Sequence, residues 1–306
     1  MITFIFRRVL SLIFVLFCVV TITFLLIRLA PGGPFDRERK IPPQIEKELL
    51  AKYKLDGTLW QQYSGYMWDL LHGDLRLSTK YRNRSVNELL SQSLPVSGTL
   101  GGIAFLIATM GGIWVGAFAA VRHDTPADTW AMLGALLAIS IPTFVIGPLL
   151  ILIFALRLYW LPVGGWGGLS CLVLPAITLA SPYVAYIARL MRTSMLEVLG
   201  QDFIRTARAK GLAEASIIFK HALKVAILPV VSFLGPLAAN LLTGSIVVES
   251  IFNIPGAGGF FVNSIQNRDG FLLGGVVIVY CALLVAMNLL VDIAYMGLDR
   301  RIRLYD

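Results

Sequence analysis

Apolar positions along this chain gather into six long runs, at residues 9–27, 100–121, 130–156, 172–188, 225–248 and 271–294, and a single charged side chain, Asp292, falls inside them. A helix rises about 1.5 Å per residue, so about 20 apolar residues cross the roughly 30 Å hydrocarbon core of a bilayer. Each run approaches or exceeds that length. The predicted fold is an all-α membrane protein with six transmembrane helices. Arg7 and Arg8 precede the first run as they would in a secretory signal. The run is longer than the roughly 7 to 15 apolar residues of a signal core, and Pro31 follows Ala30 where cleavage is expected, so it reads as a retained helix.

Several runs contain helix breakers: Pro142, Pro148, Pro175, Pro182, Pro229 and Pro236, with glycine pairs at 101–102, 111–112 and 274–275. A carbonyl freed by proline must find another partner in lipid, so such helices pack against others or line a cavity. Proline and glycine are also simply commoner in membrane helices, which accounts for any one of them. As a set they fit a transport bundle.

Composition agrees with the pattern. Hydrophobic residues make up 57% and charged residues 14% of the 306, against roughly a quarter charged in soluble domains, and mean hydropathy is +0.76. A soluble fold is excluded. The net charge of +8 would suggest nucleic acid on a polar domain, but here the cations sit between apolar runs, where they act as an orientation signal and no nucleic-acid partner is implied. Arg7, Arg8, Arg122, Arg189, Arg192, Arg205, Arg208, Lys210, Lys220, Lys224, Arg300, Arg301 and Arg303 fall on one side, whereas the short loops on the other side contribute Arg157 and Arg268. Both termini are therefore expected in the cytoplasm. The predicted organisation is an N-terminus and first transmembrane helix at 1–30, a helical external loop at 31–95, a five-helix core at 96–295 containing a cytoplasmic segment at 189–224, and a cytoplasmic tail at 296–306. Cys18, Cys171 and Cys281 are too few and too scattered for a disulfide framework or a zinc site, and no metal site is expected.

Two loops carry most of the information. In the external loop Trp60, Tyr63, Met67, Leu70 and Leu71 share one helical face by their spacing. A packed cap accounts for them, and a loop of this length also suits docking of an external partner. The cytoplasmic segment contains Gln201-Asp202-Phe203-Ile204-Arg205-Thr206-Ala207-Arg208-Ala209-Lys210-Gly211. Asp202 is placed to cap a short helix, Arg205 and Arg208 lie on one exposed side, Phe203 and Ala207 share another, and Gly211 suits a stop. A second amphipathic run at 213–224 follows, so two short helices joined by a glycine elbow form a protruding handle. A basic interfacial helix held against anionic lipid explains the same residues.

The stretch Arg205-Thr206-Ala207-Arg208-Ala209-Lys210-Gly211, with His221-Ala222-Leu223-Lys224 and Leu228-Pro229-Val230 after it, resembles the cytoplasmic EAA loop of binding-protein-dependent ABC importer permeases. The general pattern has an acidic residue where Arg205 stands and a shorter spacing from its glycine to Leu-Pro. Both departures match the peptide-transport subgroup. Arg28-Leu29-Ala30-Pro31-Gly32-Gly33-Pro34, Lys52-Tyr53-Lys54-Leu55-Asp56, Gly73-Asp74-Leu75, Val248-Glu249-Ser250-Ile251-Phe252, Ile254-Pro255-Gly256 and Asn267-Arg268-Asp269 continue the resemblance along nearly the whole chain, toward oligopeptide permease subunits of the B type. The resemblance implies a second homologous permease subunit, two ATP-binding subunits and an external substrate-binding protein as partners, with peptide as substrate and lipid around the spans. It implies an ATPase-coupling loop of Phe203, Arg205, Thr206, Ala207, Arg208, Ala209, Lys210 and Gly211, in which Phe203 and Ala207 pack into a cleft of an ATPase subunit, Arg205, Arg208 and Lys210 meet its rim, and Gly211 permits the turn.

No catalytic residue is expected. The chain has no Gly-Lys dipeptide for a phosphate loop, so the chain itself binds no cofactor and ATP-Mg belongs on the partner subunits. A proton-coupled secondary transporter needs an intramembrane acid or histidine, for which Asp292 is the candidate. An intramembrane hydrolase needs a nucleophile and base, and His72, His123 and His221 all fall in loops, as lone solvated histidines usually do. Ser140, Thr143, Thr178, Ser181, Ser232, Asn240, Thr243, Ser245 and Asn288 are the polar residues within the runs, most of them expected to satisfy helix carbonyls; Asn240 and Ser245 are the candidates for the substrate pathway. Oligopeptides are the first choice of cargo, with dipeptides, nickel chelates and other peptide-like compounds as alternatives.

Overall fold

The computed structural model describes residues 2–29, 43–81 and 83–298, nearly all of whose regular structure is helical; one isolated antiparallel bridge joins Leu77 to Ser85. In chain order the helices begin with α1 (Ile2–Leu29), α2 (Pro43–Lys52), α3 (Leu59–Leu71), α4 (Val86–Val121), α5 (Pro126–Ser140) and α6 (Thr143–Leu150). They continue with α7 (Leu169–Leu199), α8 (Asp202–Ala209), α9 (Glu214–Ser216), α10 (Leu223–Ala226), α11 (Leu228–Leu242), α12 (Ile246–Ile251), α13 (Gly258–Gln266) and α14 (Gly270–Leu298). Wider π-helical turns occupy Ile151–Arg157, directly after α6, and Ile217–Ala222, between α9 and α10. Residues 30–34, Arg300, Arg301, Arg303 and the side chain of Asp292 lie outside the described residues.

Leu10–Leu29, Val86–Val121, Leu169–Leu199, Leu228–Ile251 and Gly270–Val291 are long and apolar enough to cross a membrane. The third predicted run, at 130–156, is not one straight helix. Its halves, Pro126–Ser140 and Thr143–Arg157, meet at 107°. Pro142 is the cause: it lacks an amide hydrogen and forces Ile141 into extended backbone, at φ −86° and ψ 122°. The other breakers behave differently. Pro175 and Pro182 stay inside α7, and the Thr178 carbonyl that Pro182 deprives of a partner accepts the Ser181 hydroxyl at 3.0 Å. The glycine pairs at 101–102, 111–112 and 274–275 break nothing. Gly101, Gly112 and Gly116 let α4 approach Leu241, Ile187 and Ala188 more closely than a Cβ would allow.

The fifth run divides where no proline stands. Gly244, at φ +94°, ends α11, and Ser245 opens α12 by accepting a hydrogen bond from the Val248 amide at 3.4 Å. Two helices extend past their predicted ends. The α4 helix starts at Val86 instead of residue 100, and α7 continues through residues 189–199, so the projecting part of the segment at 189–224 begins only at Gly200.

The chain forms two units, Met1–Pro95 with Ala257–Leu283 and Val96–Gly256 with Leu284–Asp306. In the first, Tyr63 and Tyr66 of α3 pack on Phe24 of α1, and the Tyr63 hydroxyl pairs with Thr21 at 2.8 Å. A capping box starts α3, with Thr58 and Gln61 each bonding the other's backbone amide. The predicted face needs correction: Gln62 and Tyr66 are buried and Tyr63, Met67 and Leu70 half-buried, whereas Trp60 and Leu71 are exposed. Asp269 is fully buried and accepts hydrogen bonds from Ser78, the Lys80 amide and the Leu272 amide, capping α14 while pinning the loop at 78–80.

Asp69, near the end of α3, accepts Arg76 Nε at 2.7 Å and Lys54 Nζ at 3.2 Å. Burial pushes its carboxyl up, but hydrogen bonds and charge from Arg76 and Lys54 outweigh that and hold it below the usual carboxylate value. A folded-state pKa that is depressed stabilises the fold above the unfolded value and ceases to do so as pH falls through the folded value. Asp69→Asn is therefore expected to lower the melting temperature at pH 7, with the gap to the wild-type chain closing below about pH 4. Melting curves in detergent between pH 3 and pH 7 test this; a gap that does not narrow contradicts it.

In the second unit Leu100, Ala104 and Ala108 of α4, Leu174, Ile187, Met191 and Met195 of α7 and Leu237 and Leu241 of α11 form one buried core. Glu249 of α12 is buried and accepts the Ser97 hydroxyl at 2.6 Å. A Cβ at Gly256 would overlap the Glu249 carboxylate, which gives the Glu249 and Ile254-Pro255-Gly256 stretches a packing reason.

Candidate functional site

The segment at 200–224 folds as the predicted two-helix projection, with different details. Gln201 takes the cap position and Asp202 is the first helical residue, so Asp202 complements the helix dipole without capping it. The α8 helix ends in a Schellman turn: the Leu212 amide bonds the Ala207 carbonyl at 3.3 Å, and the Gly211 amide bonds that of Arg208 at 2.9 Å. Gly211 has φ +77°, in the left-handed region that costs a residue with a Cβ about 1 to 2 kcal/mol. Lys210 ends the helix just before it. Arg208 then reaches across the elbow to Glu214, with Nε 2.8 Å from the carboxylate. Exposed on both sides, that pair contributes at most about 1 kcal/mol.

Ile204 and Ala207 of α8, with Ile217, Ala222 and Ala226 beyond the elbow, are buried in the same core as Met191, Met195 and Val198 of α7. The projection is thus rooted in the bundle by its own apolar face. This corrects the expectation that Phe203 and Ala207 point outward together. Ala207 is 7% exposed and turned into the core, whereas Phe203 is 41% exposed. The outer surface holds Arg205, Thr206, Arg208, Ala209, Lys210 and Gly211. Arg205 makes a long contact of 3.5 Å with Asp202, and the Thr206 hydroxyl bonds the Asp202 carbonyl at 2.9 Å.

Two apolar side chains that the sequence reading passed over complete the surface. Leu212 is 42% and Phe219 is 69% exposed, beside exposed Lys220, His221 and Lys224. The available signal was an aromatic residue adjoining Lys220-His221 in a run otherwise spaced for burial. Phe203, Leu212 and Phe219 among cations give the projection apolar anchors within a basic rim, the anatomy of a protein-docking surface.

Close to the root of the projection lies an ion pair not anticipated from sequence. Arg192 of α7 donates through Nε and Nη2 to both oxygens of Asp128 on α5, each at 2.6 Å, and Asp128 is 4% exposed. His123, read as a solvated loop histidine, instead has Nδ1 3.2 Å from the same carboxylate. His72 also has a local role, with Nδ1 2.8 Å from the Trp68 carbonyl at the end of α3. Among the polar residues of the runs, Ser140, Thr178, Ser181 and Ser232 bond helix carbonyls. Asn240 does not. It is exposed, and its Nδ2 donates to the Tyr183 hydroxyl at 3.0 Å. Ser245 is spent on starting α12. No cluster of His, Cys, Asp and Glu with metal-binding geometry occurs among the described residues.

Several membrane-crossing helices, one sharply broken, with a rooted basic projection between two of them, define the class: a polytopic membrane transport subunit. Residues 112–304 match the family described as the binding-protein-dependent transport system inner membrane component, and the chain belongs to that family of inner-membrane permeases. It is 46% identical over 305 residues to the oligopeptide transport system permease protein OppB of Salmonella typhimurium, covering 99% of this chain and 100% of that one. It is 45% identical over 287 residues to the dipeptide transport system permease protein DppB of Bacillus subtilis, covering 94% and 93%. An inward-facing conformation of the MetNI methionine ABC transporter shares the fold, with a TM-score of 0.58 at 16% identity over 69% of this chain and 97% of that chain.

Proposed function

We propose that this chain is the membrane-spanning subunit of an ATP-driven, binding-protein-dependent importer of oligopeptides. It forms half of the translocation pathway beside a second, homologous permease subunit, in the bacterial inner membrane with both termini in the cytoplasm. Two separate ATP-binding subunits hold ATP-Mg and hydrolyse it, and an external substrate-binding protein delivers the cargo to the side carrying the loop at 31–95. Full-length identity to OppB supports oligopeptides as the cargo, and nearly equal identity to DppB keeps dipeptides as the second reading.

The observation that best supports the coupling role is the form of the projection: apolar anchors Phe203, Leu212 and Phe219 outside, and Ile204 and Ala207 locked into the α7 core inside. A push on the outer face therefore moves α7 as well. This is how closure of a partner is converted to motion of a span without any chemistry on this chain. The pathway wall is assigned to the exposed stripe Ser232, Pro236 and Asn240 of α11, three positions four apart, beside Tyr183 of α7. Small polar groups there offer a peptide backbone hydrogen bonds without selecting side chains, leaving selection to the binding protein.

Reconstitution into proteoliposomes with the accompanying subunits tests the proposal. Uptake of labelled oligopeptide requiring both ATP and the binding protein is expected. Full uptake by the chain alone, driven by a proton gradient without ATP, overturns it.

A further inference from the structure

Within the first unit, the last turns of α1, Tyr66 of α3, α13 and the start of α14 line a half-open cavity of about 620 Å³. Phe24, Ile27, Ile265, Phe271, Leu273 and Val277 give it an apolar lining, and Arg28 and Arg268 stand on its wall. Neither arginine forms an ion pair with a described residue, although Arg28 lies over the Phe24 ring, 5.5 Å from its centroid. Asp269 also borders the cavity, but its carboxylate is committed to Ser78, Lys80 and Leu272 and is fully buried. It supplies no accessible counter-charge.

A third arginine, paired with Asp69, lies behind the cavity wall. Arg76 is 7% exposed, with its guanidinium carbon 5.4 Å from the centroids of both Tyr66 and Phe271, the rings that form part of the cavity wall. Its Nε bonds Asp69, but Nη1 and Nη2 are buried with no hydrogen-bond partner.

The position of the cavity restricts what can fill it. Thr23 to Arg28 belong to the Leu10–Leu29 membrane span, so the cavity adjoins the hydrocarbon and its cations lie where that span leaves the bilayer. An apolar interior bordered by Arg28 and Arg268, which form no ion pair among the described residues, fits a molecule with a hydrocarbon tail and an anionic head. We propose that this cavity is a binding site for an anionic phospholipid, with an acyl chain against Phe24, Ile27 and Phe271 and the headgroup phosphate held by Arg28 and Arg268. The occupant is neither the transported peptide nor another subunit. The site fixes the end of α1 against α13 and α14 in a bilayer that contains such lipid.

The test uses the full-length chain purified with its accompanying subunits in neutral detergent, and exposed to phosphatidylglycerol and phosphatidylethanolamine with matched acyl chains. Native mass spectrometry is expected to show a preference for phosphatidylglycerol of about 30-fold, the attraction of two arginines at the membrane surface for an anionic head. In the Arg28→Gln, Arg268→Gln double variant that preference falls to near parity. In Val277→Trp, which fills the cavity, bound lipid of both kinds is lost. Equal retention of the two lipids by the wild-type chain overturns the proposal, as does a preference unchanged in the double variant. A photoreactive residue at Ile265 gives an independent measurement that does not depend on the variants folding. A lipid adduct supports the site, and a crosslink to another polypeptide refutes it.

Discussion

With Phe203 and Phe219 both replaced by aspartate, ATP-driven uptake is expected to fall to the level seen without ATP, while the chain still inserts and folds. Both rings are exposed, at 41% and 69%, so their removal costs the fold little. At a docking surface the reverse holds, because aromatic anchors carry most of the binding energy and each costs about 2 kcal/mol or more when lost. Two such losses are expected to weaken the proposed docking of an ATPase subunit by about 1000-fold. Arg205→Ala and Lys210→Ala, which remove only solvated rim charges, are expected to change uptake by no more than a few-fold. Uptake assays beside ATPase measurements on the same proteoliposomes check this. Normal coupling in the aspartate pair would remove the projection from the mechanism.

Arg192→Ala is expected to destabilise the chain by about 1 to 3 kcal/mol, because a buried carboxylate loses its strongest partner and keeps only His123 and the Asp124 amide. Asp128 is 4% exposed and takes both of its short hydrogen bonds from this one guanidinium. The combined Arg192→Met, Asp128→Leu variant is expected to recover most of that loss, since an apolar pair of similar volume avoids the desolvation cost altogether. Unfolding of the purified chain in detergent, followed for Arg192→Met, Asp128→Leu and their combination, gives the coupling energy directly. An additive cycle contradicts this account of the pair. The pair also bears on coupling, because it ties α5 to α7 one helical segment before the projection, so a recovered fold with poor uptake separates transmission from stability.

The spans were legible because the hydrocarbon core imposes length and polarity on any sequence that crosses it, and charge exclusion from the six runs records that demand. Helix breaks were less legible, since the outcome depends on what a freed carbonyl meets. Pro182 is accommodated by the adjacent Ser181 hydroxyl, whereas Pro142 opens a 107° bend. The break after α11 has no proline and rests on Gly244 at positive φ with Ser245 as the next cap. In the projection, periodicity located both short helices and the Gly211 elbow. It put Phe203 and Ala207 on a shared side, and the resemblance turned both outward, but over eight residues the two are neighbours on the helix and only the bundle beneath decides which of them is covered. The Asp128–Arg192 pair joins residues far apart in sequence, and neither helix alone gives any sign of it.

The measurement that bears most directly on the central claim is site-specific photocrosslinking from position 219 in membranes containing the whole transporter. A crosslink to an ATP-binding subunit whose yield changes on addition of ATP is predicted. Crosslinks to phospholipid alone, with and without ATP, would contradict it, and the projection would then be a membrane-surface helix with no part in coupling.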